Sequence, residues 1–348
     1  MTTPWFTREY DAMASITQLK LAVGHVFVQA TKPVQHVAVV LRSDSQTAAE
    51  SFHVYEVGHE LVVEWREGSH IDGHHIVEVY VPPETIEAIE FSSSDVATIR
   101  PNVFRRSVDA KLSIVSTGMG SLLVDDVELK AGSIHLRHTG PGLMQLTFET
   151  TVLAAYEFDI NDAGSGKLAV VAPSIAAKSI ILSNSKSGST QVLAKSTLKV
   201  TELIDIRNSG SGTISLQADQ LTALELKFAS SGFGNTDVLA QSDFYAASVT
   251  TAVAGAGTVK YHGVGKIDTQ HIAISGSGSV STNVVAASCD VVLSGTGSVF
   301  LNKDQTYQVA ETGAGKVQPL NPHDVDLKLI DVDVTILPRP TYDEEPTD

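Results

Sequence analysis

Charged residues at alternating positions along the chain could together form a polar site. Asp205 and Arg207 stand two residues apart, and Lys227 follows further along the chain. His135 and Arg137 have the same spacing in an earlier stretch. A carboxylate beside basic groups could perform acid–base chemistry on an acidic polysaccharide, whereas on a solvated surface these side chains would form ion pairs that add little stability. These five are candidate binding residues, and no residue is assigned a catalytic role.

Glycine pairs and clustered histidines suggest phosphate or metal binding, but neither pattern is complete. The Gly-x-Gly pair that ends at Gly166 continues with Lys167 and Leu168, where a phosphate loop needs Ser or Thr. Three histidines lie within residues 70–75, yet no cysteine or carboxylate pattern completes a set of metal ligands. We therefore expect solvated loop histidines, no metal site and no cofactor.

The glycine pairs recur along the chain with a regular period. Successive second glycines are 18 to 24 residues apart, which is typical of a solenoid in which each repeat forms one coil. We expect these glycines to form structural corners, where the absence of a side chain permits a bend or a positive φ. The second glycines are Gly120, Gly142, Gly166, Gly188, Gly212, Gly234, Gly257, Gly278, Gly297 and Gly315.

Apolar residues recur in register on both sides of each corner. Leu122 and Val124 follow Gly120 at alternating positions, Leu112 and Ile114 precede it, and the later repeats place apolar residues at most of the same positions. Such spacing indicates strands that stack from coil to coil with one side inward. The pattern predicts an all-β parallel β-solenoid with coils of about 18–24 residues.

A polar ladder is predicted four positions before each second glycine in the early coils, on the inward side. The ladder could bind a ligand or ion, or its side chains could be satisfied by hydrogen bonds to backbone groups between coils. Its members are Ser116, His138, Asp162, Asn184, Asn208 and Ser230.

The chain divides into five predicted parts. Residues 1–15 are an extension, 16–90 form irregular β coils as an N-terminal cap, and 91–320 form the regular solenoid. Residues 321–338 are predicted to be a C-terminal capping strand, and 339–348 an acidic disordered tail. The strand after each glycine corner should present a flat polar face to a protein or glycan partner, through Ser121, Gln145, Lys167, Gln191, Thr213, Ser215, Asp237, Ser279 and Ser281.

Composition and charge disfavour several classes of function. The 24 Lys and Arg residues against 40 Asp and Glu give a net charge of −16, which would repel nucleic acid. No apolar run reaches the length of a membrane span, so no transmembrane segment is expected. No basic-then-apolar start marks a secretory signal, and the single Cys289 rules out an internal disulfide.

Several stretches of the chain resemble the auto-transporter adhesin head (GIN) domain family of bacterial adhesin-like β-solenoids. They are the glycine corners Ser275–Val280 and Ser294–Val299, the lead-in 19–28 and the strand Val77–Val81. The resemblance covers most of residues 16–320. It implies a right-handed β-helix-like fold at the cell surface or envelope, with no catalytic residues to transfer. Because no signal peptide is visible, a cytoplasmic location stays open.

Two functions are compatible with these patterns. The first is a non-catalytic adhesion, scaffold or surface-recognition module. The second is a β-helix carbohydrate-active enzyme, a polysaccharide lyase or hydrolase, with a charged stripe around Asp205, Arg207 and Lys227.

Overall fold

The protein is a β-solenoid. The computed structural model describes residues 5–31, 36–69, 71–321, 325–329, 332 and 334–335. Strands account for 66% of the chain and helix for 2%, in about 9 turns. The predicted all-β solenoid is thereby confirmed, while its handedness stays a prediction.

The described part of the chain before residue 100 contains nine strands and one helix: β1 (Phe6–Asp11), β2 (Gln18–Leu21), β3 (Val26–Ala30), β4 (Ala38–Ser43), α1 (Gln46–Ser51), β5 (Phe52–Val57), β6 (Glu60–Trp65), β7 (His75–Val81), β8 (Ala88–Phe91) and β9 (Val96–Ile99).

The solenoid continues through fifteen further strands in the described residues: β10 (Ser107–Ser116), β11 (Ser121–Asp126), β12 (Leu129–His138), β13 (Leu143–Phe148), β14 (Thr151–Asp162), β15 (Lys167–Asn184), β16 (Ser189–Asn208), β17 (Thr213–Ser230), β18 (Asn235–Val253), β19 (Thr258–Ile274), β20 (Ser279–Thr282), β21 (Val285–Leu293), β22 (Ser298–Leu301), β23 (Gln308–Glu311) and β24 (Lys316–Pro319).

Each coil has three faces, as the long strands β15 and β16 show. Their parallel pairing is interrupted by register shifts after Ala172 and Ala177, which divide each strand into three segments. We call the segment before a glycine corner face A (179–184 in β15), the segment after a corner face B (167–172), and the segment between them face C (174–177). Equivalent segments stack in register from coil to coil, so a side chain recurs about every 4.8 Å along the solenoid.

The core fills the inside of the coils with the residues that the alternation predicted. Leu112, Ile114, Leu122 and Val124 are fully buried, and the equivalent residues of the later coils join the same apolar cluster. Burying each such side chain contributes about 1.5–3 kcal/mol. The inward register predicted from the sequence is therefore confirmed for these strands.

The glycine corners lie at bends, as predicted, but the corner glycines do not have positive φ, and crowding gives a further reason for them. Within the described chain, the glycines with positive φ are Gly58, Gly68, Gly73 and Gly265, and none of these is a corner. A Cβ atom at Gly278, however, would lie 2.2 Å from the carbonyl oxygen of Gly257 in the preceding coil. Glycine is needed because stacked corners approach one another too closely for any side chain.

The N-terminal end departs from regular stacking. Strand β4 pairs antiparallel with β7, and β1 pairs antiparallel with β4. Strands β5 and β6 form the hairpin that the sequence predicted, with Gly58 in its turn. Helix α1 has six residues and was not predicted; Ser45 caps it by accepting a hydrogen bond from the Ala48 amide. No described helix is long and apolar enough to cross a membrane.

The C-terminal end differs from the predicted cap. The Leu320 amide donates to the Leu301 carbonyl, so the chain is still in the last coil at Leu320. Residues 325–329 lie in no strand, and Thr335 bonds to Gln145 of β13, many coils away. Thr335 therefore does not lie at the end that the strand 321–338 was predicted to close. Residues 1–4 and the predicted tail 339–348 lie outside the described residues.

Candidate functional site

The charged stripe of face A is centred on Asp205 and Arg207 of β16. Arg207 donates from Nη2 and Nε to Asp205 Oδ2, over 2.5 Å and 3.1 Å. Asp205 is buried, whereas 61% of the Arg207 side chain is exposed. The hydrogen bonds that Arg207 donates to Asp205 raise the pKa of Arg207, and the charge of Asp159 raises it further. The carboxylate thus holds an exposed guanidinium in one orientation.

Lys227 lies next to this pair, as the sequence predicted. It is the register partner of Asp205 on the next coil. Its Nζ lies 3.0 Å from Glu225 Oε1 on the same strand. Asp205, Arg207, Lys227 and Glu225 therefore form one surface, which we call the charged stripe. Glu225 was missed, although its position two residues before Lys227 repeats the spacing of Asp205 and Arg207.

His135 and Arg137 form a separate group. Register pairs lead from His135 to Asp159, then to Ile181 and then to Asp205. These three steps correspond to about 14 Å. His135 Nδ1 lies 3.6 Å from Asp159 Oδ2, and Arg137 is the register partner of Asn161. The structure places all five candidate residues on face A without bringing them into one cluster.

One group of side chains on face A could hold a metal ion. Ligand atoms of His135, Glu157 and Asp159 all lie within 4.8 Å of one another, and each residue is partly exposed. Imidazole and carboxylate together suit a transition metal. The charge of Asp159 also raises the pKa of Arg207, less than that of Asp205 does. The absence of a metal site stays a prediction.

The clustered histidines near residue 75 do not share one environment. His74 Nδ1 lies 2.9 Å from Asp44 Oδ2. His75 belongs to β7 and packs edge-on against His25 and Trp65, and burial lowers its pKa. The expectation of solvated loop histidines is wrong for His75, because the strand turns its ring towards the N-terminal core. His70 lies outside the described residues.

The predicted polar ladder lies inside the solenoid, where His138, Asp162, Asn184 and Asn208 form hydrogen bonds and the Ser116 and Ser230 hydroxyls form none with the described residues. Asn184 Nδ2 donates to the Gly188 carbonyl at 2.8 Å, and Asn208 Nδ2 donates to the Gly212 carbonyl at 3.1 Å. These bonds cross the corner within one coil, while Asn208 Nδ2 also donates to the Asn235 carbonyl of the next coil at 3.1 Å, as the predicted bonding between coils requires. His138 and Asp162 form a buried pair at 3.1 Å. Asn184 and Asn208 therefore brace their corners from inside.

The flat polar face predicted on face B is partly covered. Gln145 is buried and bonds to the backbone of Thr335. Ser281 is also buried, and its hydroxyl lies 3.1 Å from His262 Nε2. Thr213 is exposed, as the prediction required. Only part of this face is free, which repeat periodicity alone could not indicate.

Comparison with known proteins finds similarity among solved structures. No family model matches the chain, and no curated protein sequence matches it. A candidate adhesin from Parabacteroides distasonis is 14% identical, over 91% of this chain and 97% of that one, with a TM-score of 0.40. A candidate adhesin from Parabacteroides merdae is 14% identical, over 91% and 96%, with a TM-score of 0.35. A candidate lipid binding protein from P. distasonis is 12% identical, over 91% and 97%, with a TM-score of 0.29.

Proposed function

We propose that the protein is a non-catalytic adhesion or surface-recognition module that binds an acidic glycan or protein partner through the charged stripe of face A. The observation that carries this proposal is the exposed Arg207 guanidinium, held in place by the buried Asp205. A planar guanidinium offers two parallel N–H donors to a carboxylate. Because its orientation is already set, less conformational freedom is lost on binding.

The same geometry favours binding over catalysis. A general base must reach a substrate proton within hydrogen-bond distance, yet Asp205 is buried and already accepts two N–H bonds from Arg207. Lys227 is likewise engaged with Glu225. The polysaccharide lyase or hydrolase alternative would have to break these pairs before Asp205 could act. The stripe is therefore better suited to hold a charged partner than to transform it.

Two cations of the charged stripe favour an acidic partner. Arg207 and Lys227 are adjacent and partly exposed on face A, and their local attraction must exceed the repulsion from the chain's net charge of −16. Contacts between exposed charges weaken with added salt, so binding through this stripe should be salt-dependent. A location at the cell surface or envelope, as the family resemblance implies, would place the stripe where glycans are available.

A binding assay with matched variants tests the proposal. We expect the protein to bind immobilised polygalacturonate or hyaluronan in surface plasmon resonance, and 0.5 M salt to weaken the binding. Arg207→Gln and Lys227→Gln should each weaken it about tenfold, a loss of about 1.4 kcal/mol. Lys199→Gln, an exposed position of β16 on face C, is the control. Equal binding by the wild type and these three variants would refute the role of the charged stripe.

The enzyme alternative is tested on the same polysaccharides. Lyase or hydrolase activity would appear as new unsaturated or reducing ends after prolonged incubation. Turnover that disappears in Asp205→Asn would replace the proposed function with the enzymatic one. Binding that is lost in Arg207→Gln, with no new chain ends in the wild type, would support recognition without catalysis.

A further inference from the structure

Some residues of face B are buried although they lie on the side of the sheet that faces away from the core. Leu123, Ala169 and Leu193 alternate with the inward residues of their strands, yet they are 1%, 0% and 2% exposed. Thr98 and Phe27 continue the column of Leu123 towards the N-terminal end and are also buried. We call these residues, together with Gln145, the face B groove. Burial on both sides of one sheet requires a second layer.

Thr335 shows what lies over the groove. Gln145 Oε1 accepts a hydrogen bond from the Thr335 amide at 2.7 Å, and Gln145 Nε2 donates to the Thr335 carbonyl at 3.1 Å. Both bonds go to the backbone of Thr335, as bonds from a neighbouring strand would. Gln145 therefore recognises an extended peptide backbone, with no requirement for a particular side chain at position 335.

The described residues before Thr335 have the pattern of a chain packed on one side. Val325, Leu327 and Leu329 are half-buried, while Asp326 and Lys328 are exposed. An alternation of period two is expected of an extended segment that lies with one side on an apolar surface. We call residues 325–335 the C-terminal segment.

Polar atoms in and beside the groove lack partners. Thr98 Oγ1 and Gln191 Oε1 are buried without a hydrogen bond. Burial raises the pKa of Asp237 in the same outward column, against the opposing charge of Lys260. Buried polar groups normally find partners, so these atoms provide unused hydrogen-bonding capacity along the groove.

We propose that the face B groove is a docking site for an extended peptide and that the C-terminal segment is its resident, exchangeable occupant. The apolar floor and the backbone recognition by Gln145 suit any extended chain that alternates apolar and polar residues, a mode of binding common to peptide-recognition surfaces. Residues 325–329 lie in no strand, unlike the coil segments of face B.

Release of the segment is tested first, in the full chain. Thr335→Pro removes the N–H that Gln145 accepts, whereas Thr335→Ala keeps both backbone bonds and serves as the control. Lys328 is exposed, but trypsin binds several extended residues around the bond that it cleaves, so release of the segment should speed cleavage after Lys328. We expect cleavage at this bond, followed by mass spectrometry, to be about tenfold faster in Thr335→Pro than in the control. Equal rates would overturn the role of the Thr335–Gln145 pair.

Occupation of the vacated groove is tested with a fluorescent synthetic peptide of residues 325–335. The peptide should bind Thr335→Pro, should bind the wild type at least tenfold more weakly, and should not bind Thr335→Pro with Gln145→Leu added. Circular dichroism confirms that each variant is folded. Failure of the peptide to bind Thr335→Pro would overturn the proposal. Dimers of the wild-type protein in light scattering would also overturn it, because the occupant of the groove would then be a second copy of the chain. Arg207→Gln should leave all these results unchanged, so this test is independent of face A.

Discussion

Asn184 braces a corner of the solenoid from inside, because its Nδ2 donates to the Gly188 carbonyl while its Oδ1 accepts from the Lys186 amide at 3.2 Å. Asn184→Leu removes both bonds and leaves buried backbone groups with fewer partners. The expected loss in the free energy of unfolding is about 1–3 kcal/mol. Urea denaturation followed by circular dichroism measures it.

The matched control lies in the same corner. Ser187 is exposed between the two sides of the turn, so Ser187→Ala should change the free energy of unfolding by less than about 0.5 kcal/mol. Asn208→Leu should resemble Asn184→Leu, since Asn208 makes the equivalent bond to Gly212. If Asn184→Leu lowered the free energy of unfolding no more than Ser187→Ala does, the result would contradict an inward, bonded ladder.

Gly278 tests why corners need glycine. In Gly278→Val the new Cβ would lie 2.2 Å from the Gly257 carbonyl oxygen, and stacked backbone cannot move away without breaking coil-to-coil bonds. We expect a loss above about 3 kcal/mol or failure to fold. Ser277→Val, one residue earlier and exposed, should fold normally. Thermal unfolding compares the two, and a stable Gly278→Val protein would refute the close approach.

His262 should make stability depend on pH. Burial, with the charge of Lys260, lowers the pKa of His262 to about 4, below the value of about 6.5 for an unfolded chain. The neutral ring therefore stabilises the fold above about pH 6.5, and this contribution is lost as the pH falls towards 4. The loss can reach about 3 kcal/mol.

A pair of histidine variants isolates this effect. His262→Gln retains a hydrogen-bonding group near Ser281 and removes the titration, so its free energy of unfolding should fall less between pH 6.5 and 4. His271, on face A, is exposed, and His271→Gln should keep the wild-type profile. Parallel profiles for His262→Gln and the wild type would exclude His262 as the source.

Asp237 should lower the stability of the fold as the pH rises, which is the opposite of the trend expected for His262. Its pKa is raised by burial, so the protonated form favours the folded state. That contribution is complete below the unfolded value of about 3.9 and is lost as the pH rises through the raised pKa. The stability of Asp237→Asn relative to the wild type should therefore increase from pH 3.5 to pH 7, measured by thermal unfolding. Asp243→Asn, at an exposed position, should show no such trend.

Repeat periodicity predicted what each coil shares with its neighbours. The inward register, the corner positions and the buried Asn184 all follow from alignment of the repeats, because stacking imposes the same environment on equivalent residues. Periodicity could not reveal that the corners exclude side chains by close approach, since bending and crowding both select glycine. Helix α1 was missed because six residues are too few to show a helical pattern.

Contacts that occur once in the chain escaped prediction. The pairing of Gln145 with Thr335 joins residues 190 positions apart and has no counterpart in another coil among the residues that the structure describes. For the same reason the covered part of face B looked like a free polar surface. On face A, spacing placed Asp205 beside Lys227 correctly, but it could not tell that the group of His135 lies three coils away.

The C-terminal segment also constrains how long the solenoid can be. Register pairs from Gln145 to Gln318 count eight steps between coils. The chain from Leu320 to Thr335 must span the same two levels, because Leu320 is in the last coil and Thr335 bonds to Gln145. Gain or loss of one coil between Gln145 and Leu320 would change the distance between these two levels by about 4.8 Å, which is the length of about one and a half extended residues. Relatives with a different number of coils should therefore differ in the length of this segment by one or two residues per coil, so that two distant parts of the gene evolve in step.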